Sequence, residues 1–196
     1  MRSSNPRKSV KNFWTSVAVC GLTLAMTSCS SLKAGQTHTS SSITGCTKIQ
    51  QIPNAQEKLT LPCLNGHSQV NIRALKGPAL INVWGSWCEP CKREIPYLKQ
   101  VYSQTKGKVA FIGINIEDPS TAIATKFAQY YGMLWPHLYD KQSRSRTLFG
   151  VGVPATLFIN SQGRVVHLRT GPYQSTRELV SDVTNYLGVK IAKVSQ

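Results

Sequence analysis

Two cysteines separated by two residues, Cys88-Glu89-Pro90-Cys91, lie between an apolar run and a stretch of helical spacing. This junction constrains the fold more than any other feature of the chain. The run Ala79 to Trp84 (ALINVW) has strand length and no long polar face, the pattern of a buried central strand. From Cys88 to about Thr105 the apolar residues Ile95, Leu98, Val101 and Tyr102 recur at helical spacing. A cysteine at the head of that helix meets free backbone N–H groups and the positive end of the helix dipole. Both favour the thiolate, which is the nucleophile in thiol–disulfide exchange. A step of three residues lets Cys91 reach Cys88 on the same helix face. Pro90 falls in the first turn, where its missing N–H costs little.

Other uses of such a pair fit less well. Haem attachment needs a histidine directly after the second cysteine, and Lys92 stands there. A structural zinc site needs a second close Cys/His pair. Cys46 and Cys63 are seventeen residues apart, with His67 the only imidazole near them. His38, His67, His137 and His167 show no ligand spacing and read as ordinary polar or half-buried residues. Neither a metal nor another cofactor is expected.

Downstream, Val109 to Ile116 (VAFIGINI) reads as a second buried strand, after a helix end at Lys106-Gly107-Lys108. Pro119-Ser120 opens a helix through Gly132, and Ser143 to Phe149 is a shorter one. Ala155 to Asn160 and Arg164 to Arg169 flank Ser161-Gln162-Gly163 as a β-hairpin. Ser175 to Tyr186 closes the order as a helix. Strands alternating with helices and then a hairpin imply an α/β fold with a mixed sheet. Residues 46–78 look irregular apart from a short strand at Gln69 to Ile72.

The amino terminus reads as an export signal over residues 1–28. Arg2, Arg7, Lys8 and Lys11 precede the apolar stretch Phe13 to Met26. That stretch is short for a membrane span, which takes ~20 apolar residues. Thr27, Ser28 and Cys29 resemble a bacterial lipoprotein signal with Cys29 lipidated, although Met26 stands where that pattern prefers Leu. A plain signal peptide and an uncleaved anchor are the alternatives. Residues 29–45 are rich in Ser, Thr and Gly and should form a flexible tether. The domain then spans 46–190, with a tail at 191–196.

The net charge is +15, but the basic residues form no run of five or six, which argues against nucleic-acid binding. Attraction to an anionic membrane or wall surface suits them better. Export permits disulfides to persist. Cys46 and Cys63, outside the redox motif, are expected to pair as a structural disulfide; the alternative is that one of them exchanges with Cys88 or Cys91 as a third redox cysteine.

The stretch from Trp84-Gly85-Ser86-Trp87-Cys88 through Glu89-Pro90-Cys91-Lys92-Arg93-Glu94-Ile95-Pro96-Tyr97-Leu98 resembles the TlpA/ResA-type thioredoxins, as does Gly152-Val153-Pro154-Ala155-Thr156. The likeness covers about Leu59 to Leu187. It implies a thioredoxin fold, a mixed central sheet flanked by helices, with the Pro119–Gly132 helix as the family's insertion. It implies a cis peptide at Val153-Pro154 facing the cysteines, with Val153 pairing an incoming peptide like an added strand. It also places Glu94 beside the thiols, tuning their protonation. Cytosolic thioredoxins carry a buried Asp six positions before the first cysteine, where this chain has Asn82. A carboxylate relay therefore falls to Glu94 or Glu89. Trp87, Glu89 and Pro90 are expected to line the substrate contact.

The likeness implies an extracytoplasmic disulfide reductase of exported proteins, such as the haem-binding cysteines of apocytochrome c, reset by a membrane thiol donor. An oxidase or isomerase would use the same residues at a higher potential. A non-enzymatic binding lipoprotein is the third reading, and it has no need of a resolving cysteine.

Overall fold

The computed structural model describes residues 42–105 and 107–191. The leader, Cys29, His38, most of the tether and nearly all of the 191–196 tail lie outside the described residues.

Five strands form the central sheet: β3 (Ala79–Trp84), β4 (Ala110–Ile116), β5 (His137–Asp140), β6 (Ala155–Ile159) and β7 (Val165–Thr170). Their order is β5-β4-β3-β6-β7. β3 runs parallel to β4, and β4 parallel to β5, while β6 and β7 are antiparallel additions. Every residue of β3 is buried, as its apolar run requires, because helices and a strap cover both faces.

Leu80 and Trp84 face one layer, made by α1 (Glu89–Thr105), α2 (Thr121–Tyr130) and α4 (Thr176–Leu187). Ile95, Leu98, Val101, Ala124, Ala128, Leu179 and Val183 are among the helix residues buried there. Ser120 and Ser175 cap α2 and α4, accepting from Ile123 N and Glu178 N. Ala79, Ile81 and Val83 point the other way, onto Leu61, Val70, Ile72 and Leu75 of the segment before β3 and onto Phe149 of α3 (Arg146–Phe149).

Three readings of the sequence change here. The segment 46–78 is not irregular: β1 (Thr60–Pro62) and β2 (Gln69–Asn71) pair antiparallel, with 3-10 turns at Cys46–Lys48 and Ile72–Ala74. Strands of three residues are too short to show periodicity. Ile43, which composition assigns to the tether, is buried, and its carbonyl accepts from Asn65 Nδ2 at 2.5 Å. The insertion is a helix followed by a strand, since β5 pairs with β4 and closes the sheet edge. β5 has only four residues, one of them a histidine, so its sequence carries no strand signal.

Candidate active site

Cys88 and Cys91 are joined as a disulfide. Cys88 directly precedes α1, and Cys91 lies in the first turn of the helix. The Cys91 N–H donates to Cys88 Sγ at 3.2 Å, one of the free amide groups expected at a helix start. The cysteines are 3% and 1% exposed. Trp87 beside them is 52% exposed and lies over Gly85, where an added Cβ would meet the indole nitrogen at 2.6 Å. A side chain at position 85 would push the indole aside.

The loop entering the helix is fastened from β4. Asp118 is fully buried, accepts from Ser86 Oγ at 2.6 Å and also accepts the Ser86 N–H. Asn115 Nδ2 donates to its other oxygen at 2.6 Å. Sequence reading missed Asp118. The available signal was an acid just past the carboxyl end of a buried strand, where open α/β sheets place their sites.

Glu94, one turn beyond Cys91 on α1, is fully buried. Its carboxylate accepts from Asn82 Nδ2 at 2.7 Å and from the Tyr173 N–H at 3.1 Å. Burial outweighs these bonds and pushes its pKa up to about 7. Glu89 differs: it is exposed, pairs with Lys92 at 2.8 Å, and that bond holds its pKa below the usual range. Of the two acids, only Glu94 can exchange a proton near neutrality. Arg169 stacks over the Tyr173 ring at 4.2 Å and bonds Glu178, bracing the turn whose N–H serves Glu94.

Val153-Pro154 is a cis peptide. It leads into β6, whose Ala155 pairs with Val83 near the end of β3. Val153 packs on the cluster that holds both cysteines. The sheet register thus brings Trp87, Glu89, Pro90, Val153 and Pro154 to the same end of the molecule.

His137 departs from the half-buried reading. It is fully buried, and Trp84 Nε1 donates to its Nδ1 at 3.2 Å. Its Nε2 therefore carries the proton and donates to the Met133 carbonyl at 3.0 Å. Burial lowers its pKa to about 4, so the ring is neutral at pH 7. At Gly113 an added Cβ would collide with this ring. His167 stacks on Tyr186 at 3.9 Å, away from the cysteines in the fold.

Cys46 and Cys63 form a second disulfide, which ties the strap beneath the sheet. Among the described residues no three His, Cys, Asp or Glu converge as a metal site, and no helix is long and apolar enough to cross a membrane.

A CxxC disulfide at the head of a helix, fed by the central strand of a mixed sheet, defines a thioredoxin-fold protein of the redox-pair type. More narrowly, the chain belongs to the AhpC/TSA family, whose model matches residues 50–168. It is similar to the thiol-disulfide oxidoreductase ResA of Geobacillus thermodenitrificans, at 36% identity over 46% of this chain and 53% of that protein. ResA of Bacillus subtilis is 31% identical over 61% of this chain and 66% of its own length. The chain thus spans between half and two thirds of the length of these relatives. Among solved structures, MTB DsbF aligns with a TM-score of 0.58 at 28% identity, over 65% of this chain and 93% of that one. A secreted Mycobacterium tuberculosis disulfide oxidoreductase homologous to E. coli DsbE aligns at 0.57 and 25%, over 65% and 95%.

Proposed function

We propose that the protein is an extracytoplasmic thiol–disulfide oxidoreductase that reduces disulfides of exported proteins, the haem-binding cysteines of apocytochrome c among them. The observation that carries this reading is the Cys88–Cys91 disulfide at the head of α1 with the buried Glu94 one turn away. The ResA likeness supports the thiol–disulfide chemistry, and the likeness to a secreted DsbE homologue supports the location.

In the reduced protein, the Cys88 thiolate attacks one sulfur of a substrate disulfide. That S–S bond breaks, the second substrate sulfur leaves as thiolate, and a mixed disulfide forms. Glu94 takes the Cys91 proton, and the Cys91 thiolate attacks Cys88 Sγ. The mixed disulfide breaks and releases the other substrate thiolate. Two electrons pass to the substrate, its thiolates take up protons, and the Cys88–Cys91 disulfide is restored. A dithiol donor in the membrane then reduces that disulfide, with the chain held nearby by a lipid on Cys29.

The test is the reduction potential of the Cys88/Cys91 couple, with oxidised peptide bearing a CxxCH sequence as substrate. A potential near the thioredoxin value of about −270 mV, with the peptide reduced, is expected. A potential near about −120 mV, with the reduced peptide becoming oxidised, would mean an oxidase.

A further inference from the structure

Val151, three residues before Pro154, is 87% exposed. Its backbone is nevertheless held. Arg146 Nη1 donates to the Val151 carbonyl at 2.5 Å, and Arg146 Nη2 to Glu117 Oε1 at 2.6 Å. The guanidinium fork thus ties the loop to the end of β4, a two-sided grip that suits arginine rather than lysine. Glu117 is seated in turn by Ser143 Oγ, which donates to it at 2.8 Å. Both residues have left-handed backbones, with φ of 60° and 54°. Non-glycine residues in that region mark a site over-determined by its surroundings.

Exposed ion pairs contribute little stability, so that alone does not account for this arrangement. What the pair does is display Val151. Two residues on, Val153 packs against the cluster that contains Cys88 and Cys91. Trp87, which directly precedes Cys88, is another exposed apolar group.

We propose that Arg146, seated by Glu117, is a positioning residue for substrate: it presents Val151 as an apolar contact for residues flanking the cysteines of a bound polypeptide. This rests on the thiol–disulfide reading above and adds a preference for apolar residues beside the substrate disulfide.

The test uses the pre-reduced full chain in single-turnover oxidation, followed by tryptophan fluorescence. The probes are two synthetic disulfide peptides, one with Val and one with Asp flanking the cysteines, and oxidised glutathione. The wild type should prefer the Val peptide. In Arg146→Ala and in Val151→Ser that preference should fall about fivefold, the effect of one lost apolar contact. The change should appear in the half-saturating peptide concentration rather than the limiting rate, and Arg146→Lys should recover part of it. Because Val151 is exposed, Val151→Ser tests the contact even if Arg146→Ala does not fold. An unchanged preference in Val151→Ser overturns the proposal, and a loss in Val151→Ser without one in Arg146→Ala or Arg146→Lys overturns the role of Arg146. A chain that reacts with none of the three disulfides overturns the redox reading itself.

Discussion

The Asn82 side-chain amide lies 2.7 Å from the Glu94 carboxylate, joining the central strand to the helix that carries the cysteines. Asn82 stands where cytosolic thioredoxins keep a titratable acid. The fold therefore retains one buried carboxyl at this place, supplied by α1 instead of β3.

That carboxyl makes stability depend on pH. Its pKa is near 4.5 when unfolded and about 7 when folded, so the fold favours the neutral acid. Between these values the unfolded chain loses the proton first, and stability falls as pH rises. Glu94→Gln removes the effect. Relative to the wild type, it should gain on the order of 3 kcal/mol between pH 4 and pH 8 in urea unfolding. The reduced variant should also lose the Glu94 contribution to the pH dependence of exchange. A pH-independent stability difference would mean that Glu94 does not titrate in this range.

His137 acts with the opposite sign. Its pKa falls from 6.5 to about 4 on folding, so the fold favours the neutral ring. The stabilisation is present above 6.5 and lost as pH falls toward 4. His137→Asn should be destabilised at pH 7 through lost packing, and this deficit should shrink by on the order of 3 kcal/mol by pH 4. Paired denaturation curves at the two pH values check it.

Cys88 should be the attacking thiol. The Cys91 N–H already points at its sulfur, and a reduced Cys88 would hold that bond as thiolate. Cys91→Ser should accumulate mixed disulfides through Cys88, and Cys88→Ser should not. Absorbance at the thiolate band should show Cys88 titrating below the ordinary cysteine range of about 8.5. Trapping by Cys88→Ser alone would reverse the assignment.

The Cys46–Cys63 bond should behave as structure. It closes a loop of seventeen residues and fastens the strap over Ile81 and Val83. The double variant Cys46→Ala/Cys63→Ala should lose about 3 kcal/mol in the loop-entropy model. Under mild dithiothreitol, mass spectrometry should find Cys88–Cys91 opened first. Free Cys46 and Cys63 with an intact Cys88–Cys91 bond would exchange the two roles.

Local signals made much of the frame legible. Strand β3 runs from Ala79 to Trp84, the span of its apolar run, because both faces of that strand are buried and each residue must be apolar or partnered. Asn82 was the polar exception, and its partner proved to be Glu94. The redox pair was legible for the same reason: the chemistry of Cys88 depends on a helix start and a three-residue step, both written in adjacent residues.

What the tertiary structure decided concerns groups distant in sequence. Asn82 and Glu94 are twelve residues apart, Ser86 and Asp118 thirty-two, Glu117 and Arg146 twenty-nine. No periodicity encodes such pairs, since they meet only when the parallel crossover sets strand ends side by side. The burial of His137 and the pairing of β5 follow from the same crossover, which overrides the weak preferences of four residues. Sequence determined that Cys88 would stand at the start of a helix with Cys91 in its first turn. The packed sheet determined which carboxyl lies buried beside them, because desolvation belongs to the assembled layers and to no single segment.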